Sequence, residues 1–501
     1  MSPQPIGSQW LKKHYNLTHH RITHASYIGS NVSVELTSKG NVEQIYRAKY
    51  KVAQDTPLDH LEFSLKYDDF NLEFLKAVFD RIKKNHIEIF IASAPASKYA
   101  RKIGFLYEFL TGEQINLSPL TSGNYADLLD EEKYITGKPI KNTRWRINNN
   151  LLGNKDYCPV VRKTKELKEL LSQNIQGKIK DLKKSYSADM FSRAINYLYT
   201  KETKSSYEIE RENPSADRME KFVALLVKAG TEPIEEIMAT GRLIQLQNAI
   251  VDPRFAATDF RDFQNYVGES LPNFQEFIHY ICPPPAILLS LMDGLRETLI
   301  KTQGTRPEVR TALIAFGFVF IHPFEDGNGR LHRFLIHDML IHDKLVPQGL
   351  IIPVSAHLLN HIREYDQALE KYSKPLMQRI KYSKLEDGGL RITNAPEVEP
   401  YFRYPDLTDH CVYLIQAIHA TITEDMPNEL LFIQRYHETK KELQHIVDMP
   451  DKLINSMLTF LHQNNGVFPK RRRDYFPKLT DKEIALMQTA YRKVFELGTI
   501  D

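Results

Sequence analysis

Apolar residues recur along most of this chain at spacings of three and four, the period of an amphipathic helix, and alternate only near the N-terminus. Between about residues 28 and 70, β-branched and aromatic residues come in short runs, and the alternation in Asn31-Val-Ser-Val-Glu-Leu predicts a strand. Lys98 to Leu110 places Tyr99, Ile103, Leu106, Tyr107 and Leu110 on one face, which predicts a helix with that face inward. The Asn-, Gly- and Pro-rich stretch from Asn142 to Pro159 breaks the pattern and marks a first domain boundary. Residues 161 to 200 favour helix, with Leu167, Leu170, Leu171, Ile195, Leu198 and Tyr199 on apolar faces, until Asn213-Pro214-Ser215 interrupts. Helical signal resumes at Met219 to Val227 and, with loops, dominates to about residue 370. Leu385 to Tyr401, with its Gly-Gly and two prolines, reads as a linker, and Asp409 to Ile422, Glu429 to Ile446 and Asp481 to Leu497 read as helices. The expectation is a mainly α protein in four parts: an α+β region over 1–155, a helical segment over 156–213, a central helical domain over 214–385 and a small helical domain over 386–501.

One stretch of the central part carries chemistry. Val309, Leu313, Phe316 and Phe320 predict a buried helix ending at Ile321, with Pro307 in its first turn. Pro323 and Gly327-Asn-Gly cannot continue it comfortably, so His322 to Gly327 is a loop, and Arg330 to Leu340 starts a new helix. Free backbone N–H groups at a helix start, flanked by glycines that admit a ligand closely, form an anion site, and phosphates suit it. Arg330 and Arg333 lie three residues apart on one side of that helix, where two guanidinium groups can hold successive phosphates. Asp326 is placed to ligate a magnesium ion bridging phosphate oxygens, and His322 to accept a proton from an attacking hydroxyl.

Composition narrows the setting. At 501 residues, 42% hydrophobic and 26% charged, the chain has the make-up of an ordinary globular protein of several domains. A net charge of +3 gives no global field favouring nucleic acid or an anionic membrane. Three widely spaced cysteines, Cys158, Cys282 and Cys411, suit neither a disulfide framework nor a zinc site. The N-terminal residues lack the apolar core of a secretory signal and the longest apolar run, Leu313 to Ile321, is too short to span a bilayer, so a soluble cytoplasmic protein is expected.

His322 to Arg333 reads HPFEDGNGRLHR, which resembles the Fic family motif H-x-F-x-[DE]-G-N-G-R-x-x-R at every specified position. The resemblance implies transfer of AMP from ATP to a Ser, Thr or Tyr hydroxyl of a protein, with release of pyrophosphate. It makes His322 the general base, Asp326 the Mg2+ ligand, and Gly327, Asn328 and Gly329 the phosphate cradle; Arg330 and Arg333 become β- and γ-phosphate contacts, and Phe324 a core anchor. Tyr266-Val267 and Phe277 to Ile281 predict a β-hairpin similar to the family's flap, which holds a target segment as an added strand, with Tyr266, Val267, Gly268 and Tyr280 as target-binding candidates. Ser205-Ser-Tyr-Glu-Ile-Glu resembles the family's inhibitory helix, [ST]-x-x-x-E-[GN], over about 203–213. Ser206 and Glu210 then fill its defining places, and Glu210 would pair with Arg333, although Arg211 stands where the family has Gly or Asn. Leu358 to Leu369 resembles the family's last core helix, in which Asn and Tyr side chains can line the nucleotide pocket, with Asn360 and Tyr365 as the candidates.

The expected fold is thus a helical Fic core with a β-hairpin flap, an α+β domain before it and a helical, winged-helix-like domain after it. Pro469-Lys-Arg-Arg-Arg-Asp-Tyr would supply the basic wing. The expected partners are ATP and a protein substrate, which the chain itself could be. A homodimer is admitted, nucleic acid is a secondary candidate, and no membrane is expected. The alternatives are removal of AMP, phosphate transfer as in the Doc branch, which has Lys where Gly329 stands, and a nucleotide-sensing regulator that grips DNA or a protein.

Overall fold

The computed structural model describes residues 3–37, 41–270, 272, 276–386 and 388–497. Its N-terminal part carries a four-stranded sheet, ordered Gln4–Ile6, His24–Ile28, Val42–Tyr46, Ser33–Leu36, in which only the central pair is parallel. Ile6 and Tyr46 on this sheet pack against Phe63 of the helix Pro57–Tyr67. That helix corrects the strand-like reading of residues up to 70: Thr56 accepts the Asp59 N–H as N-cap and Pro57 occupies the first turn, so local capping outweighs the aromatic content. The helix Lys98–Thr111 forms as expected and ends on left-handed Gly112.

Asn142 to Pro159 is not an open break. It contains the strand Ile147–Asn149, and Trp145 is buried against Gly104, where even a Cβ would lie 2.6 Å from the indole. The segment then joins the C-terminal half, because Cys158 N–H donates to Arg403 O (2.8 Å) and Val160 N–H to Pro405 O (2.9 Å).

The largest core lies around the first motif helix, Pro307–Ile321, in which every residue from Glu308 to Ile321 is buried. A helix apolar on all sides must be surrounded. Its neighbours include the second motif helix, Asn328–His342, the helix Pro285–Lys301 and the helix Thr408–Ala420. This core extends to Ile433, so C-terminal helices help to enclose the motif, while a separate smaller core runs from Leu443 to Tyr491.

Three further expectations are corrected. The presumed linker folds as a short hairpin, Tyr382–Lys384 with Leu390–Ile392, followed by the helix Ala395–Arg403, because Leu390, Ile392, Val398 and Phe402 are all buried. The helix over Leu358 to Leu369 is two helices, Val354–Asn360 and Ile362–Met377, divided at His361, whose ψ of 43° leaves the helical region. The basic run forms a 3-10 turn, Lys470–Tyr475, and Arg473 spends two of its nitrogens on the carbonyls of Phe476 and Leu479. Among the described residues, no helix is long and apolar enough to cross a membrane.

Candidate active site

The first motif helix ends on His322, which holds a left-handed conformation (φ 54°, ψ 60°) that costs a non-glycine residue about 1 kcal/mol. Its surroundings impose it. The buried Arg261 donates to the carbonyls of His322 (2.8 Å), Phe263 and Pro283, gathering the loop and the chain beneath the hairpin onto one guanidinium. His322 Nδ1 lies 3.1 Å from Val319 O, and a carbonyl can only accept, so Nδ1 carries the proton and Nε2 is left as the acceptor. Burial pushes the imidazole pKa down to about 4 against the pull of the Val319 carbonyl, and the Arg261 charge adds to the fall. The ring is therefore neutral near pH 7.

The loop is tied from inside. Phe324 is fully buried, as expected of an anchor. Asn328, expected in the phosphate cradle, uses its side chain otherwise: Oδ1 accepts the Phe324 N–H (3.0 Å) and Nδ2 donates to Phe324 O (2.8 Å). A side chain bonded both ways to one backbone residue holds the loop shut and leaves only its backbone N–H for an anion. Asn265 at the foot of the hairpin donates to Phe324 O and Glu325 O, and Gln247 donates to Asp326 O. Gly327 (φ 90°) begins the second motif helix, and a Cβ there would meet Val251 at 2.8 Å.

Asp326 accepts the Gly327 N–H (2.6 Å) and an Arg330 N–H (2.5 Å), both on Oδ1. The second carboxylate oxygen makes no hydrogen bond among the described residues. One partly exposed carboxylate beside a helix N-terminus is a donor set that fits magnesium, which takes one or two carboxylates and draws its other oxygens from phosphates and water.

Both arginines are buried and occupied. Arg333 donates through Nε to Ser206 Oγ (2.9 Å) and through Nη2 to Ser206 O (2.7 Å) and Glu210 Oε1 (2.8 Å). Burial works against its charge, but Glu210 and the Tyr365 hydroxyl outweigh that and raise its pKa. Arg330 binds Glu212 as well as Asp326, and Glu212 also bonds Arg218 (2.5 Å).

These carboxylates come from the end of the helix Ala188–Ile209. Glu212 N–H donates to Tyr207 O (3.1 Å) and Arg211 N–H to Glu208 O (2.9 Å), the paired bonds of a Schellman turn, with Arg211 left-handed at φ 57°. Gly and Asn tolerate this position most readily, so Arg211 holds it at a conformational cost. Gly329 leaves room for the turn: a Cβ there would lie 2.2 Å from Glu210 Oε1.

The hairpin forms from Tyr266–Ser270 and Glu276–Ile281, with a register irregularity between Val267 and Gly268. Val267 and Gly268 are exposed, and a Cβ on Gly268 would press on Phe277 O at 2.7 Å. Tyr266 donates to Glu276 Oε1 (3.0 Å), across the hairpin. Tyr280 is not available to a target: it is buried and its hydroxyl donates to Phe320 O, so it fastens the hairpin to the first motif helix. Asn360 is exposed at the end of its helix, separated from Tyr365 by the break at His361, whereas Tyr365 is buried beside Arg333 with its pKa pushed up to about 12 by that burial.

Glu212, Arg218, Arg261, Gln247 and Asn265 were not legible as site residues. Glu212 had the best signal, a carboxylate two places beyond Glu210 in a turn before Pro214, but no periodicity governs where a Schellman turn aims a side chain.

Residues 237–340 match the Fic/DOC family. Curated relatives called protein adenylyltransferase Fic, from Drosophila sechellia and Drosophila melanogaster, are each 26% identical over 222 residues, covering 44% of this chain and 37% of theirs. The chain therefore spans little more than a third of the length of the curated relatives it matches. A solved Fic family protein from Desulfovibrio desulfuricans G20 aligns at 15% identity over 56% of this chain and 80% of its own, with a TM-score of 0.37. The stretch that matches the Fic/DOC family, residues 237–340, carries the complete motif from His322 to Arg333.

Proposed function

We propose that this protein transfers AMP from ATP to a hydroxyl of a protein substrate and is held inactive by Glu210. One observation carries the reading: His322, neutral and with Nε2 as its acceptor, opens a loop that ends in a helix N-terminus backed by two buried arginines. The target oxygen attacks the α-phosphorus, the bond from that phosphorus to the bridging oxygen breaks, pyrophosphate leaves, and the hydroxyl proton passes to His322 Nε2. Free N–H groups at Asn328, Gly329 and Arg330 neutralise phosphate oxygens, as do the two guanidinium groups once they are released. Asp326 would hold magnesium, which supplies charge neutralisation on the phosphates. Glu210 occupies the Arg333 nitrogen that a γ-phosphate needs, which supports the autoinhibited reading.

The exposed hairpin, through Tyr266, Val267 and Gly268, is the proposed target-binding element, and a soluble cytoplasmic setting remains part of the proposal. Phosphate transfer of the Doc type is disfavoured by Gly329, which stands where that branch has Lys. Removal of AMP is the second reading, favoured by one observation: Glu210 uses only Oε1 on Arg333, and its other oxygen is free of hydrogen bonds among the described residues, able to orient water.

The test is retention of label from ATP labelled separately at α and γ, with magnesium, on wild type, Glu210→Gly and His322→Ala, using cell lysate as substrate. Retention from the α position alone, raised by Glu210→Gly and lost in His322→Ala, is expected. Retention from the γ position overturns the reading in favour of a kinase, and loss of AMP from pre-modified protein, abolished by Glu210→Gly, favours the reverse reaction.

A further inference from the structure

We infer that Glu212 is a second autoinhibitory carboxylate, which occupies Arg330 while Glu210 occupies Arg333, so that one helical turn masks both phosphate-binding arginines at once. The inference rests on the phosphate-binding reading of those arginines and goes beyond the Glu210 brake. Arg330 is 3% exposed, and among the described residues its charge is answered by Glu212 and Asp326. Its Nε is buried without a hydrogen-bond partner among the described residues, which is a donor that a bound oxyanion would satisfy. The guanidinium also stacks over the Tyr207 ring at 5.5 Å, and Tyr207 in turn donates to Ile250 O (2.8 Å), so the arginine is fixed in place and its ligand is what must change.

The turn couples the two carboxylates mechanically. Glu212 N–H bonds Tyr207 O, one turn back, so opening the Schellman turn that positions Glu210 displaces Glu212 as well. Arg218 is the natural receiver: it lies on the helix Ala216–Val227, anchored to Ile250 O, and already shares Glu212 with Arg330. The structure thus places one carboxylate between two cations, one in the site and one outside it. Handing Glu212 wholly to Arg218 frees Arg330 Nη1 for an oxyanion, while Nη2 keeps its bond to Asp326.

Binding of a fluorescent ATP analogue with magnesium, and retention of α-label, are measured on the full chain for Glu210→Gly, Glu212→Gln, the double variant and Arg218→Met. Loss of one charge-assisted contact to a buried arginine is expected to tighten ATP binding by about tenfold in Glu212→Gln, and by a similar factor when added to Glu210→Gly. Arg218→Met leaves Glu212 to Arg330 alone and is expected to weaken ATP binding, a change opposite in sign that a merely structural role for the cluster would not produce. It also tests the idea should Glu212→Gln fold poorly. The inference is overturned if the double variant binds ATP no more tightly than Glu210→Gly, or if Glu212→Gln lowers α-label transfer in that background, which would make Glu212 a residue that positions Arg330 for catalysis. If Glu210→Gly neither binds ATP nor retains label, the underlying reading fails first.

Discussion

Glu210 Oε1 sits 2.8 Å from Arg333 Nη2, and the same guanidinium is bonded twice to Ser206, so the last turn of one helix is stapled to the first turns of another 123 residues later in the chain. The arginine is 1% exposed and the glutamate side chain 38%, so the pair joins a buried guanidinium to a carboxylate whose other side meets solvent.

Removing that carboxylate is expected to raise activity. A charge-assisted hydrogen bond of about 2 kcal/mol corresponds to a gain of roughly thirtyfold in α-label transfer for Glu210→Gly. An unchanged rate, with ATP binding intact, would show that the contact is structural.

The acid limb of the rate profile should be displaced. With His322 lowered to about 4, the proton acceptor stays unprotonated as pH falls through 6.5 and is lost only on approach to pH 4. Measured on Glu210→Gly as kcat/KM against pH, the rate is expected to hold level from pH 8 to below 6. A half-point at the ordinary imidazole value would contradict the assigned environment. His322→Ala should lose at least about a hundredfold in turnover with ATP affinity little changed.

Arg211 offers a test of the cap in the opposite direction. Glycine is free of the left-handed penalty at φ 57°, so Arg211→Gly should stabilise the turn by about 1 kcal/mol. A higher melting temperature together with weaker ATP binding is expected, because a firmer turn holds Glu210 and Glu212 in place. A rise in α-label transfer would show that Arg211 itself restrains the site.

Asn328→Ala removes both bonds to the Phe324 backbone and leaves a buried N–H and C=O with fewer partners, costing about 2 kcal/mol. Transfer in the Glu210→Gly background should fall steeply while the overall fold survives, as read by circular dichroism. Full activity would mean that Arg261, Asn265 and Gln247 hold the loop without it.

Much of the site was legible in order along the chain. The helix ending at Ile321, the loop from His322, the new helix bearing Arg330 and Arg333 and the hairpin strands all follow from spacings of two, three and four and from the positions of Pro and Gly. Phe324 as anchor and Glu210 opposite Arg333 came from the family resemblance; in the structure Phe324 is buried and Glu210 accepts from Arg333.

What the sequence by itself determined was therefore the local frame: a mainly helical chain, a helix N-terminus lined with glycines and arginines, and the residue types able to handle phosphate. The tertiary structure alone decided which side chains answer one another. Asn328 turned out to serve the loop backbone, Tyr280 the core, and Glu212, 118 residues before Arg330, the arginine it covers. The reason is physical. Backbone periodicity sets neighbours three or four residues apart, whereas partners more than a hundred residues apart are chosen by how whole helices pack and by the demand that each buried charge find a counter-charge.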